Sequence, residues 1–467
     1  MMVRFVRSLS AATLAATLAA CSSGSGSTPA APAPPATVVS PKLRIVGVGD
    51  SLTAGVQSAG LLGVPVVPNP VPGSPFQPGV PPTQPHGFFA LLWSQANGGA
   101  PTDDPANSPL PLIAAPGIGT ILVPNAQLNP TPIVAPCGAI NATAYAYGTA
   151  LRARVNPAQT PLDVAVPGQT VHEAAYMIGP VIQCEQTSTQ GLSPLAALVN
   201  SESLNFWPVL GNFPQGTTQL AAAASLKAQY ATVWLGSNDL LKYTFSLGQI
   251  VPTDPAQMQA DMVKIVSTLQ QSGAKVLVSN IVDVLNAGFF IKQAALPAFL
   301  AAKGGPAAGA AAPLVSSVLQ TTYGVGPGGY VTISGFGKIL TALSAGSTQF
   351  VLGGGDFVPD ALAVRVQRLN DAYDTAIEAA IAQTGAVLVD NRALVKAAVG
   401  GIPINPPKCC SLVFGGGFFS MDGIHPSDTG YALTANAFID ALDKAYGTSV
   451  PDVDVARVYA MDPFAPH

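Results

Sequence analysis

Residues 43–48 run Leu-Arg-Ile-Val-Gly-Val and stop abruptly at Gly49-Asp50-Ser51. Four later stretches share this pattern: Asp163–Val166, Thr232–Leu235, Lys275–Asn280 and Ala386–Val389. Each is short, rich in Val, Ile or Leu, and bounded by Gly, Pro, Asn or Asp. Runs without polar alternation predict strands buried on both faces, as in a parallel sheet. Helical spacing of apolar positions appears between them, over Pro255–Gln271 and over Ala361–Gln383, where Gly385 supplies a stop. Ser427 or Asp428 can cap a last helix running to about residue 445. Strands alternating with helices predict an α/β layered domain with right-handed crossovers. Three stretches break the alternation and read as insertions: the proline-dense 59–85, the aperiodic 101–160 and the apolar, glycine-rich 284–356. The last reads equally as packing over a sheet edge or as an apolar wall for an acyl chain.

The first twenty residues follow a different logic. Arg4 and Arg7 precede an apolar run from Leu9 to Ala20 that is too short to span a membrane. The run ends in Leu18-Ala19-Ala20-Cys21, which resembles a bacterial lipoprotein processing site, with Cys21 as the lipidated first residue. The alternative is a plain secretory signal with Cys21 incidental. Cleavage before Cys21 removes two arginines and no acid, so the net charge moves from −4 to −6. Residues 21–41 then form a Ser-, Ala- and Pro-rich tether, residues 42–450 the folded domain and residues 451–467 a C-terminal tail. The expected location is the cell envelope, at an outer membrane or the periplasmic side of a membrane. With 9% charged residues and an acidic balance, the chain offers no basic patch for nucleic acid.

Export favours disulfides. Besides Cys21 the chain has Cys137, Cys184, Cys409 and Cys410, which allow three pairings. The favoured one is Cys137–Cys184, leaving Cys409 and Cys410 as a vicinal pair or free. No CxxC spacing and no neighbouring histidine suggest a structural zinc site, and no metal or other cofactor is expected.

In an open α/β sheet the site lies outside the carboxyl ends of the strands. Ser51, Gly168 and Asn238 follow the first three predicted strands. A serine nucleophile needs a base, and the base an orienting acid. Of four histidines, His467 is the last residue, His86 closes the proline-rich insertion and His172 falls in the helix after Gly168. His425 remains, with Asp422 three residues before it, a spacing that lets one loop bring a carboxylate to an imidazole. The Ser51 amide, the Gly168 amide and the Asn238 side-chain amide are suitable donors to an oxyanion. Each residue also has a plain structural role open to it: Ser51, Asn238 and Asp422 as caps or turn formers, and Gly168 as a turn.

"GDSL" at 49–52, Gly168, "GSND" at 236–239 and "DGIH" at 422–425 resemble, in order, the four blocks of the SGNH hydrolases, the GDSL lipases/esterases. The resemblance spans residues 42 to about 446. "HGFFALL" at 86–92 is similar to the helix that follows the first block. The resemblance implies a flavodoxin-like α/β/α sandwich with a five-stranded parallel sheet in the order 2-1-3-4-5. It implies Ser51 as nucleophile, His425 as base, Asp422 as its orienter, and an oxyanion hole of Ser51, Gly168 and Asn238. The expected activity is hydrolysis of a carboxylic ester or lipid through an acyl-enzyme. Deacetylation of a cell-wall or extracellular polysaccharide, which requires an open polar cleft, is one alternative. A catalytically silent lipid- or glycan-binding lipoprotein is another.

Overall fold

The computed structural model describes residues 42–64, 82–114, 117–124, 130–134, 154–178, 206, 208–214, 216–404 and 410–466. The leader, the tether, Cys21, Cys137, Cys184, Cys409 and most of the proline-rich insertion lie outside the described residues.

Four parallel strands form the central sheet: β1 (Ile45–Gly49), β2 (Tyr230–Trp234), β3 (Lys275–Ser279) and β4 (Val387–Val389). They lie in the order β1-β2-β3-β4, with Gly49 beside Trp234, Val233 beside Val278 and Ser279 beside Val389. The expected strand Asp163–Val166 occupies the free edge of β1. Val164 N donates to Gly47 O at 3.0 Å and Val166 N to Gly49 O at 3.1 Å. Only the Gly47–Asp163 bridge is regular, however. The Asp163 carboxylate accepts from Ala165 N at 3.0 Å, a local turn bond that competes with the ladder, and Pro161 and Pro167 flank the segment. Counting this segment, the edge-to-edge order is the 2-1-3-4-5 that the resemblance implies.

Both faces of the sheet are covered, which explains its uninterrupted apolar strands. On one face Val46, Val48, Val233 and Val278 pack under the helices Pro255–Gln271 and Asp360–Thr384 through Met262, Ile265, Val366 and Ile377. On the other, Ile45, Trp234 and Leu277 meet the helices Phe88–Ala96 and Asp428–Tyr446 through Phe88, Leu92, Phe438 and Leu442. Gly47 has no side chain because a Cβ there would stand 2.8 Å from the Phe89 ring. The helix signals work as their chemistry requires. The Asp254 carboxylate accepts from Ala256 N and Gln257 N, Gly385 closes its helix at φ 71°, and Ser427 Oγ accepts from Gly430 N.

The 284–356 insertion builds a satellite core. Short antiparallel strands at Phe290–Lys292, Tyr330–Thr332 and Phe357–Val358 carry the helix Leu296–Tyr323, broken at Gly305, and the helix Ile333–Ser344. Leu296, Leu300, Val315, Leu319 and Ile339 are buried between them. The aperiodic 101–160 stretch holds strands at Ile118–Pro124 and Pro130–Val134, paired antiparallel, which its sequence did not reveal. The tail contains the helix Val455–Met461, and Asp462 Oδ2 takes bonds from Thr429 N at 2.8 Å and Thr429 Oγ1 at 2.6 Å. Cys410 is disulfide-bonded, which overturns the option of a free thiol there; every other cysteine lies outside the described residues. No helix among the described residues is long and apolar enough to cross a membrane.

Candidate active site

Ser51 is the first residue of a single helical turn, Ser51–Ala54, that follows β1 directly. Asp50 caps this turn, its Oδ1 accepting from Leu52 N at 2.9 Å. Gly55 ends it in the left-handed region at φ 78°. The hydroxyl therefore stands at the carboxyl edge of the sheet, at the start of a helical turn, where backbone N–H groups are unspent.

The loop 418–427 carries His425 and Asp422. Ser420 N donates to His425 O and Ser427 N to Phe418 O, which folds the loop back on itself. Asp422 Oδ2 lies 2.7 Å from His425 Nδ1 and accepts from Ala59 N at 2.6 Å. Asp422 Oδ1 accepts from Ile424 N and His425 N, both at 2.8 Å. Burial alone would raise the Asp422 pKa. The neighbouring His425 and the backbone donors outweigh burial and hold the carboxyl below its usual value. With Nδ1–H donating to the Asp422 carboxylate, the imidazole offers Nε2 as the basic atom. Among the described residues no hydrogen bond joins Ser51 to His425; such contacts are often long before substrate binds.

Ala59, the donor to Asp422, lies in an unusual turn. Ser58 and Ala59 both have positive φ, 51° and 62°, which non-glycine residues rarely adopt. The turn is pinned on its other side to the loop and to the last long helix: Ser58 N donates to Ser420 Oγ at 2.8 Å, and Tyr431 Oη, from the helix Asp428–Tyr446, donates to Val56 O at 2.7 Å. Backbone strain held in place by such bonds is common where a group must be aimed.

The oxyanion candidates sit at the ends of the strands on either side of β1. Gly168 turns the chain at φ 90°, two residues after Val166 pairs with Gly49. Asn238 is the second residue of the helix Ser237–Phe245 after β2. Its Nδ2 donates to Asp50 Oδ2 at 2.9 Å and to Gln169 O at 3.1 Å. Both amide protons are thus spent inside the protein, and Asn238 must share or release one to bind a substrate oxygen. Burial pushes the Asp50 carboxyl up to about 7, against the Leu52 amide and the charge of His425. Burial likewise raises Asp239 to about 6, although it accepts from Thr253 Oγ1 and Val171 N.

Ser51 and Asn238 share a cavity of about 50 Å³ with Ile424 and Pro426, the residues either side of His425. Its walls are apolar: Leu241 from the helix after β2, Val284 and Ala287 from the start of the long insertion, Phe418 and Phe419 from the loop 418–427. Val284 and Ala287 open the 284–356 stretch that the sequence offered as an apolar wall, whereas Leu241, Phe418 and Phe419 were missed there. The structure brings together Ser51, Asn238 and the His425–Asp422 pair, and sets Gly168 at the turn bonded to Asn238 through Gln169. It sends the other described histidines elsewhere. His86 Nδ1 lies 3.0 Å from Asp428 Oδ2 and His172 Nδ1 lies 2.9 Å from Asp261 Oδ2. The family model described as GDSL-like Lipase/Acylhydrolase matches residues 45–438. No curated protein matches the chain.

Proposed function

Since the chain belongs to the GDSL-like lipase/acylhydrolase family and is therefore an ester hydrolase, we propose that it works through a Ser51-His425-Asp422 triad and an acyl-enzyme. His425 Nε2 takes the Ser51 proton as Oγ attacks the ester carbonyl carbon. The carbonyl oxygen becomes an oxyanion, which accepts from the Ser51 amide, the Gly168 amide and the Asn238 side chain. The bond to the alcohol oxygen breaks, and His425 returns the proton to the departing alkoxide. Water then attacks the acyl carbon, giving its proton to His425. The acid leaves and Ser51 recovers its proton.

The observation that carries this reading is the 2.7 Å contact between His425 Nδ1 and Asp422 Oδ2, on a loop whose flanking residues line one cavity with Ser51. Hydrolysis of p-nitrophenyl esters from acetyl to palmitoyl by residues 42–467 tests it. Ser51→Ala and His425→Ala should each remove nearly all activity while the protein stays folded; full activity in either refutes the triad.

The apolar walls beside Ser51 suit the acyl side of an ester, and the p-nitrophenyl series reads its preferred chain length. The leader supports lipidation at Cys21 and attachment to a membrane of the cell envelope as part of the same proposal.

A further inference from the structure

We propose that Gln219 is a positioning residue of the oxyanion hole, holding the Gly168 turn in place beside the strand that presents Ser51. This rests on the ester-hydrolase reading and adds to it a residue outside all four sequence blocks.

Gln219 opens the helix Gln219–Ser225, which Thr218 Oγ1 caps by accepting from Ala221 N at 3.1 Å. Side chains tilt toward the N-terminus of their helix, and this one reaches back past the helix start to the end of β1. It is completely buried, and a buried amide must spend two donor protons and an acceptor. Gln219 spends all three. Nε2 donates to Gly49 O at 2.7 Å and to Gln169 Oε1 at 3.0 Å, while Oε1 accepts from Gly49 N at 3.2 Å. The backbone of Gly49 fixes which end of the amide is which, since its N–H requires the oxygen and its C=O the NH2.

Those bonds decide where Gly168 stands. Val166 to Gln169 form a turn closed by Gln169 N donating to Val166 O at 3.3 Å, with Pro167 and Gly168 (φ 90°) at its centre, the residues a type II turn favours. The turn bond leaves the Gly168 N–H unspent, and that group makes no hydrogen bond among the described residues. Both ends of the turn are pegged to Gly49: Val166 N donates to Gly49 O at 3.1 Å, and the Gln169 side chain is joined to Gly49 through Gln219. The segment before the turn has a single regular bridge to β1, and beyond the turn Asp239 Oδ2 takes Val171 N at 3.1 Å. Gln169 itself has two other contacts: its Nε2 reaches the Met177 sulfur at 3.9 Å, and its O accepts from Asn238 Nδ2 at 3.1 Å. A substrate oxygen competes for that Asn238 amide. When Asn238 turns a proton toward the oxyanion, Gln219 keeps Gln169, and with it Gly168, in place. Gln219 therefore matters more in the transition state than in the resting enzyme, which puts its effect in kcat rather than KM.

The test measures kcat and KM for p-nitrophenyl acetate on residues 42–467, with circular dichroism to follow the fold. The variants are Gln219→Met, Gln169→Met, Asn238→Ala, and each of the first two combined with the third. Gln219→Met removes all three bonds of the side chain. Gln169→Met breaks the 3.0 Å bond and leaves Gly49 served by Gln219, so it decides the question if the first variant does not fold. Outright loss of an oxyanion donor costs about 10²–10³ in kcat. Displacing one should cost less, roughly 10- to 100-fold in kcat, with KM within about threefold of the parent. Added to Asn238→Ala, either change should cost less than it does alone, because both act on one hole. A variant with a lower Tm but a kcat within about threefold of the parent would overturn the positioning role. So would losses that multiply in full with that of Asn238→Ala. In both cases Ser51-dependent hydrolysis by the parent leaves the function standing. A parent with no Ser51-dependent hydrolysis would instead overturn the function, and the role with it.

Discussion

Replacing Asp422 by asparagine separates the charge of this carboxylate from its shape. Oδ2 accepts from His425 Nδ1 at 2.7 Å and Ala59 N at 2.6 Å, while Oδ1 accepts from Ile424 N and His425 N, both at 2.8 Å. An amide offers only one oxygen. Unless His425 changes tautomer, the NH2 faces two donors that have lost their acceptor whichever way the new side chain turns. At about 1–3 kcal/mol for each buried group left unpaired, the cost is about 2–6 kcal/mol. That corresponds to a fall in Tm of roughly 2–7 °C for a folded chain of about 430 residues at about 2.1 cal/mol/K per residue. If the NH2 takes the Oδ2 position, His425 must switch tautomer, its Nε2 then carries the proton, and it cannot accept from Ser51. The loss in kcat should approach about 10⁴-fold, the scale seen when a triad carboxylate becomes an amide. The stability gap depends on pH. Asp422 is held below its usual pKa in the fold, so its ionised form stabilises above the unfolded value near 3.8 and the benefit is lost as pH falls through the folded value. The gap between parent and Asp422→Asn should therefore be full at pH 7 and shrink toward pH 3. Thermal unfolding from pH 3 to 8, with p-nitrophenyl acetate kinetics at pH 7, measures both. A variant within about tenfold of the parent in kcat, with an unshifted Tm at pH 7, would refute the reasoning.

The Asp163 carboxyl is buried and its pKa is pushed well up by that burial, so the fold holds a proton that the unfolded chain loses near pH 3.8, and stability should fall as pH rises from there. Asp163→Asn keeps an oxygen for Ala165 N and removes the titration; its Tm relative to the parent should rise as pH increases above about 4 in differential scanning fluorimetry. Arg392→Ala strands three carboxylates around a side chain that is 25% exposed and should cost about 1–3 kcal/mol in urea unfolding, less at 1 M salt. Ala59→Gly keeps the N–H that serves Asp422 and relieves a left-handed φ of 62°, so it should stabilise the protein by up to about 1 kcal/mol; a loss of stability would mean that the turn is not strained.

Strand ends, helix stops and the acid–base pair were legible because each is set by residues adjacent in sequence. Pro255–Gln271 matches its helix residue for residue, since Asp254, Pro255 and the apolar spacing all act locally. The pairing of Asp422 with His425 needs only a three-residue loop. The cavity beside Ser51 was legible only in its 284–356 wall, because Leu241 and Phe418 meet Val284 and Ala287 only after the insertion and the loop 418–427 dock. Nor was the third partner of Asp422: Ala59 N is a backbone group 363 positions away, presented by strain rather than by residue type. Asp163–Val166 shows the limit on the fold side. Its apolar pattern made it a strand and the family resemblance put it at the edge beside β1, but the carboxylate inside it takes the Ala165 N–H and frays the ladder.

The central claim is that Ser51 is the nucleophile, and covalent capture tests it most directly. Residues 42–467 would be treated with a p-nitrophenyl alkylphosphonate and the adduct located by peptide mass spectrometry. The account predicts one adduct, on Ser51, formed in step with loss of esterase activity and absent from Ser51→Ala and His425→Ala. An adduct on another residue that tracks the loss of activity, or an active protein that Ser51→Ala leaves equally reactive, would contradict it.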